Sequence, residues 1–169
     1  MKIELKKLNA LQHAVLPFSE VIDLKDEKMY GRNPFQSPVY VEGEVSNESG
    51  VLRLKGSIRT VYSTECARCL KPLDIPLEAE ADMILSDDPE AEEEDDLFVL
   101  TGDSVDPADV LVPALILQVQ MTYLCKEDCK GICSRCGANL NHGECGCDRE
   151  ALDPRMAAIK DIFSKFKEV

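Results

Sequence analysis

Eight cysteines are the residues whose type and spacing could do chemistry. Six lie in one stretch, Cys125, Cys129, Cys133, Cys136, Cys145 and Cys147. The other two, Cys66 and Cys69, form a C-x-x-C pair about 60 residues upstream. Eight thiols make two sets of four, and four thiolates are what a closed, tetrahedral structural zinc site uses. The clearest local unit is Cys133-Ser134-Arg135-Cys136-Gly137. Two intervening residues let both sulfurs meet one ion. The residue after the second cysteine often needs a positive φ, which glycine adopts freely, and Gly137 stands there. Cys145 and Cys147 can complete that set. Cys125 and Cys129 are then left to close a second group across the fold with Cys66 and Cys69, although Leu70 occupies the position where a glycine would be expected. Spacing leaves two other arrangements open: a single zinc with free thiols, or Cys129 exchanging places with Cys133. Disulfides are the rival chemistry for an even cysteine count, and an iron–sulfur cluster would use the same four-thiolate ligation.

Composition narrows what such a site could serve. At 169 residues and 44% hydrophobic content, the chain can build a core; aromatics are only 5%, so Val, Leu and Ile must fill it. The formal charge is −13, and eight thiolates holding two Zn²⁺ would take it to about −17. Non-specific nucleic-acid binding works by neutralising phosphates with Lys and Arg, so the chain as a whole is unsuited to it. A basic partner is the expected one, since opposite charge steers the encounter. Met1–Leu5 has no apolar run of the kind that opens a secretory signal, and the longest apolar run, residues 110–119, is too short to span a bilayer and contains Pro113. A cytoplasmic location, where thiols stay reduced, is the expectation.

The elements that must position the thiols follow from periodicity. Residues 1–8 suit an edge strand, residues 16–24 a short strand, and residues 25–37 a loop holding Gly31-Arg32-Asn33-Pro34. Val39, Val41, Gly43 and Val45 alternate in a strand; residues 46–50 form a turn; Leu52, Leu54, Gly56 and Ile58 alternate in the next. Val61 and Tyr62 break that alternation, so a bulge near Gly56 or Arg59 is expected. The Cys66–Cys69 knuckle connects to a strand over residues 75–85, giving an antiparallel meander. Leu97–Leu100 reads as one more strand. Asp106-Pro107 is a helix start, and residues 110–121 are apolar nearly all round, predicting a buried helix. Asp153-Pro154 repeats the start signal, and Met156, Ile159, Ile162, Phe163 and Phe166 make the apolar stripe of a last helix. The expected fold class is α+β: an antiparallel meander or barrel-like sheet, a buried helix, a Cys-rich zinc module and a C-terminal helix. Residues 1–105 would form the β part and residues 106–169 the helical and cysteine-rich part, packed as one unit.

Charge is patterned as well. Residues 86–96 read SDDPEAEEEDD, nine of eleven acidic or proline, too polar to bury. They are a solvated linker or an arm that touches a basic partner. Lys126, Lys130, Arg135, Arg149 and Arg155 gather in or beside the cysteine module. They either offset thiolate charge or reach toward rRNA.

These pieces together resemble one family, the YceD family of large ribosomal RNA subunit accumulation proteins. The likeness is carried by Cys66-Ala67-Arg68-Cys69-Leu70, by the acidic segment leading into Asp106-Pro107 and the apolar helix, and by Cys125–Cys147 followed by Leu152-Asp153-Pro154-Arg155. It is strongest in CKGICSRCGANLN, residues 129–141. The resemblance implies a role in maturing the large ribosomal subunit, near 23S rRNA or a protein of that subunit. The partner would be a basic ribosomal protein or a large-subunit precursor. The family supplies no catalytic residue to carry over.

Three functions compete. The first is a non-enzymatic, zinc-stapled assembly factor. The second is an enzyme, for which the chain lacks H-E-x-x-H, G-x-S-x-G and P-loop motifs. His13 and His142 are the only histidines, and a zinc hydrolase would need His142 to replace a cysteine and open the metal shell. The third is a redox or metal-release switch, because closely spaced exposed thiolates oxidise.

Overall fold

In the computed structural model, residues 1–9, 13–88 and 96–147 are described. The expected C-terminal helix, with Arg149 and Arg155, and most of the acidic segment lie outside them. The fold is α+β, dominated by a five-stranded sheet in the order β2-β3-β4-β5-β6. In chain order the elements are β1 (Ile3–Glu4), α1 (Lys6–Asn9), β2 (Val15–Ile22), β3 (Val39–Glu48), β4 (Val51–Glu65), β5 (Pro72–Ser86), β6 (Leu97–Val99), β7 (Ser104–Val105) and α2 (Pro107–Leu117).

Strands β2 to β5 form a continuous antiparallel meander, and its registers run without interruption. The longest, β4 with β5, pairs residues from Leu52↔Leu85 to Glu65↔Pro72. The expected bulge near Gly56 or Arg59 is therefore absent. Thr60 and Tyr62 simply continue the inward set Leu52, Leu54 and Ile58, while Val61 points outward. The period-two pattern survives because Thr60 is buried with its hydroxyl donated to the Pro38 carbonyl at 3.2 Å.

Several boundaries move. The turn expected over residues 46–50 shrinks to Ser49-Gly50, both with positive φ, since Glu48 already pairs with Val51. Asn47 turns inward, donating to the Leu8 carbonyl at 2.7 Å and accepting from the Gly50 amide at 2.9 Å. The expected N-terminal edge strand is only Ile3–Glu4, paired with β7 in a separate two-stranded sheet and followed by α1. Strand β6 joins the main sheet, but parallel to β5, over Ile84↔Leu97 to Ser86↔Val99.

Helix α2 opens as its signal predicts: Asp106 caps it, accepting from the Ala108 amide at 3.1 Å, with Pro107 in its first turn. It packs on β3, β4 and β5. It ends at Leu117 rather than near Met121, and only one side is covered: Val110, Leu111 and Leu115 are buried, whereas Leu117 is 83% exposed. Uniform apolarity overstated its burial, because a helix on one sheet has only one face to bury.

Gly43 stands opposite Gly56 on β3 and β4, where the chain leaves no room for a side chain. A Cβ on Gly43 would sit 2.3 Å from the Lys55 carbonyl oxygen and 2.7 Å from the Phe18 ring. At Gly56 it would meet Leu111 of α2 at 3.1 Å. The paired glycines let Phe18 cross the sheet and let α2 approach it. Gly43→Ala is expected to destabilise the fold by about 3 kcal/mol, since backbone atoms must shift to admit the methyl group. Equilibrium urea unfolding checks this, and a midpoint equal to wild type would contradict the packing described.

Candidate metal centres

The β4–β5 hairpin is long, about 40 Å at the usual rise per residue. Its tip, residues 66–71, carries Cys66 and Cys69. The chain leaving α2 returns to that tip. Tyr62 near the end of β4 packs between Phe35, edge-on at 5.7 Å between ring centroids, and Tyr123, tilted at 5.6 Å. Tyr123 also accepts the Gln120 amide on its hydroxyl at 3.0 Å, which fixes the segment just before Cys125.

Backbone and guanidinium hydrogen bonds then clasp tip and tail. The Ala67 amide donates to the Tyr123 carbonyl at 2.9 Å, and the Ile132 amide donates to the Arg68 carbonyl at 3.1 Å. The Arg68 guanidinium donates to the Cys129 carbonyl at 2.9 Å. Gly131 lies against this contact with φ +74, where an added Cβ would be 3.0 Å from the Arg68 carbonyl oxygen.

Four sulfurs meet as a result. Cys66, Cys69, Cys125 and Cys129 place their Sγ atoms within 4.8 Å of one another. The Cys66–Cys129 separation is 3.8 Å and the Cys69–Cys125 separation 3.5 Å. Tetrahedral thiolates at the usual zinc–sulfur bond length stand about 3.8 Å apart, so the spacing fits one ion. Cys66 is fully buried, and Cys69 and Cys129 nearly so.

Cys133, Cys136, Cys145 and Cys147 gather in a second group within the same limit. Here the knuckle is local. The Cys133 amide donates to the Ala138 carbonyl at 2.8 Å and the Gly137 amide to the Cys133 carbonyl at 2.9 Å, with Gly137 at φ +74. This group is more open to solvent: Cys136 is exposed and Cys145 and Cys147 are half-buried. The two groups are those that spacing pairs; Cys129 does not change places with Cys133, and no cysteine among them forms a disulfide.

The electrostatics of each group point to a cation. Desolvation works against the Cys66 thiolate, but amides of Cys125, Cys69 and Arg68 outweigh it and hold the thiol down at about 6. Burial, and then the sulfurs of Cys69, Cys129 and Cys66, push Cys125 up to about 12. In the second group, the amides of Cys136 and Arg135 bring Cys133 down to about 6, while the Cys136 sulfur and then burial push Cys147 up to about 12. The first thiolates form readily and the last do not. Only a positive ion at the centre allows all four to be ionised together.

The remaining named residues stand apart. Lys126, Lys130 and Arg135 are exposed, with Lys126 3.5 Å from Asp128. His13 and His142 are exposed, and His142 belongs to neither group of sulfurs. Two residues with no role assigned from sequence prove important. Arg68 bridges tip and tail as described. Asn141 donates to Cys129 Sγ at 3.4 Å and accepts the Lys130 amide at 2.9 Å, tying the second module to the first group. Arg68 had a signal, lying inside the knuckle; Asn141 had none beyond its place in the cysteine-rich run.

Leu70 takes φ 60 at the position where the other knuckle uses Gly137. A left-handed backbone at a leucine costs about 1 kcal/mol. Leu70→Gly is expected to raise stability by about that amount, as 56% of Leu70 is exposed and little packing is lost. Thermal unfolding of the metal-loaded protein measures it; a lower melting temperature would mean the leucine side chain contributes more than its backbone costs.

Comparison with known proteins gives a consistent picture. The family model described as "Large ribosomal RNA subunit accumulation protein YceD" matches residues 54–163. A large ribosomal RNA subunit accumulation protein YCED homolog 1, chloroplastic, from Arabidopsis thaliana is 28% identical, over 85% of this chain and 53% of the relative. The Zea mays protein of the same description is 29% identical over 76% of this chain and 54% of the relative. An uncharacterized protein of Mycobacterium tuberculosis is 29% identical over 70% of this chain and 58% of its own length. The chain thus spans about half the length of the curated relatives it matches. No solved structure matches. From the hairpin that carries the first knuckle to the tail that meets it, the matched stretch holds all eight thiols, and the chain belongs to the YceD family of large ribosomal RNA subunit accumulation proteins.

Proposed function

We propose that the chain is a non-enzymatic zinc-binding factor in maturation of the large ribosomal subunit, acting near 23S rRNA by holding a basic ribosomal protein or a subunit precursor. The observation that carries the zinc reading is the pair of four-sulfur groups, each tight enough for a single ion. An iron–sulfur cluster places several atoms among its thiolates and would spread them farther apart. All-sulfur, closed tetrahedral coordination favours zinc among the common divalent ions and leaves no open position for catalysis.

In this reading Cys66, Cys69, Cys125 and Cys129 hold one ion, and Cys133, Cys136, Cys145 and Cys147 hold the other. The first joins the tip of the hairpin to the tail; the second folds the knuckle that projects from it. The ribosomal role rests on the family and on the charge of −13, which suits a basic partner. Lys126, Lys130 and Arg135 are exposed on the cysteine-rich segment and would meet any adjoining rRNA.

A metal-release switch is a second reading, favoured by the unequal exposure of the two groups. Peroxide would take two electrons from a pair of exposed thiolates, form a disulfide and become water, and the ion would leave the second group first.

Native mass spectrometry is expected to find two zinc ions per chain, and Cys66→Ser to leave one and lower the melting temperature markedly. One ion in the wild type would overturn the two-site arrangement. In cell extracts at low salt, the protein is expected to co-sediment with large-subunit precursors and to release as salt rises. Absence from those fractions at every salt concentration would overturn the ribosomal reading. Limited chelator should remove one ion from the second group while the first persists, which partial alkylation mapping of freed thiols would detect.

A further inference from the structure

The outward face of the sheet plays no part in either sulfur group, and its composition is unusual in having two distinct ends. One end is apolar. Pro38 just before β3, Tyr40 of β3, Val61 of β4 and Pro76 of β5 line a shallow trough of 620 Å³ that Arg59 and Glu78 border, with Tyr40 47% exposed. The other end is acidic. Glu42, Glu44, Glu80 and Asp82 surround Ser57 in an adjoining trough of 590 Å³. The registers make the two continuous, since Tyr40, Glu42 and Glu44 are successive outward residues of β3, and Pro76, Glu78, Glu80 and Asp82 of β5.

The cations of this face are already engaged. Arg53 and Lys55 pair with Asp82, and Arg59 lies 3.6 Å from Glu42 and over the Tyr40 ring at 5.7 Å. Glu44, Glu78 and Glu80 have no ion pair among the described residues. Glu78 and Glu80 follow one another at about 7 Å along β5, and Glu44 stands two strands away.

The geometry points to this face as a docking surface for a lysine- and arginine-rich protein segment that carries an apolar side chain. The apolar side chain would enter the Tyr40–Pro76 end, and its cations would lie along Glu44, Glu78 and Glu80. Charge selects this occupant. Phosphate-bearing partners and anionic membranes are repelled by the free carboxylates, and a second copy of the chain brings its own −13. An exposed apolar end beside unpaired carboxylates gives both an anchor and a steering field, which a merely solvated face does not combine. The inference deepens the ribosomal-protein reading above by assigning that contact to a surface.

The probe is a fluorescein-labelled peptide alternating lysine and leucine, titrated into the full metal-loaded chain. The triple variant Glu44→Gln, Glu78→Gln, Glu80→Gln is expected to weaken binding about tenfold. Tyr40→Ser should weaken it as well, with circular dichroism unchanged. A control triple at exposed carboxylates elsewhere, Glu4→Gln, Asp26→Asn and Glu27→Gln, changes net charge equally and should alter affinity less than about twofold. Equal losses in the two triples would reduce the effect to overall charge and overturn the proposal, as would no binding or stronger self-association by sedimentation. Tighter binding of a single-stranded RNA than of the peptide would overturn it too. The same variants separate this inference from the ribosomal reading. If wild type and the first triple co-sediment equally with precursors, the face is wrong and the ribosomal role stands. If neither co-sediments, that role fails and the peptide titration still judges the face.

Discussion

Four sulfurs held within 4.8 Å of one another cannot all carry negative charge without a positive ion between them, and the architecture is built around that constraint. In the first group the amides that turn toward Cys66 make one thiolate easy to form. The same crowding, in a buried site, makes the Cys125 thiolate hard to form. Neighbouring cysteines thus sit on opposite sides of their ordinary range, a conflict that a metal ion held at the centre would resolve. Because two of the sulfurs come from a hairpin tip and two from the segment after α2, an ion there would also join distant parts of the chain.

The rest of the fold supports that junction. An uninterrupted β4–β5 register gives the hairpin the stiffness to present its tip. The Phe35–Tyr62–Tyr123 ring cluster aligns the returning chain, and Arg68 and the amides of Ala67 and Ile132 fasten it by hydrogen bonds. Asn141 then couples the second, more exposed module to the first. The two groups therefore differ in kind: one closes a junction between long-range partners, the other folds a local projection.

The sheet separates two sorts of surface. Its inner face is filled by aliphatic side chains and α2, while its outer face keeps carboxylates that make no ion pair among the described residues. The family's description concerns the large ribosomal RNA subunit, and a chain of formal charge −13 as a whole repels phosphate. No helix among the described residues is long and apolar enough to cross a membrane.

Residue types and local spacing alone determined the meander strands from Val39 onward, the start of α2 at Asp106-Pro107, and the second group of cysteines. Each depends on neighbours within a few residues, through period-two alternation, capping or a knuckle closed by Gly137. The first group could be suggested by elimination, but its meeting depends on how far the hairpin reaches and where α2 stops. Tertiary structure decided those points. Whether Thr60 continued the inward pattern depended on its finding the Pro38 carbonyl, and how much of α2 was buried depended on there being one sheet to cover it. It also decided which carboxylates on the outer face make no ion pair: register sets Lys55 opposite Glu44 and Arg59 opposite Glu78, yet these side chains turn to Asp82 and Glu42.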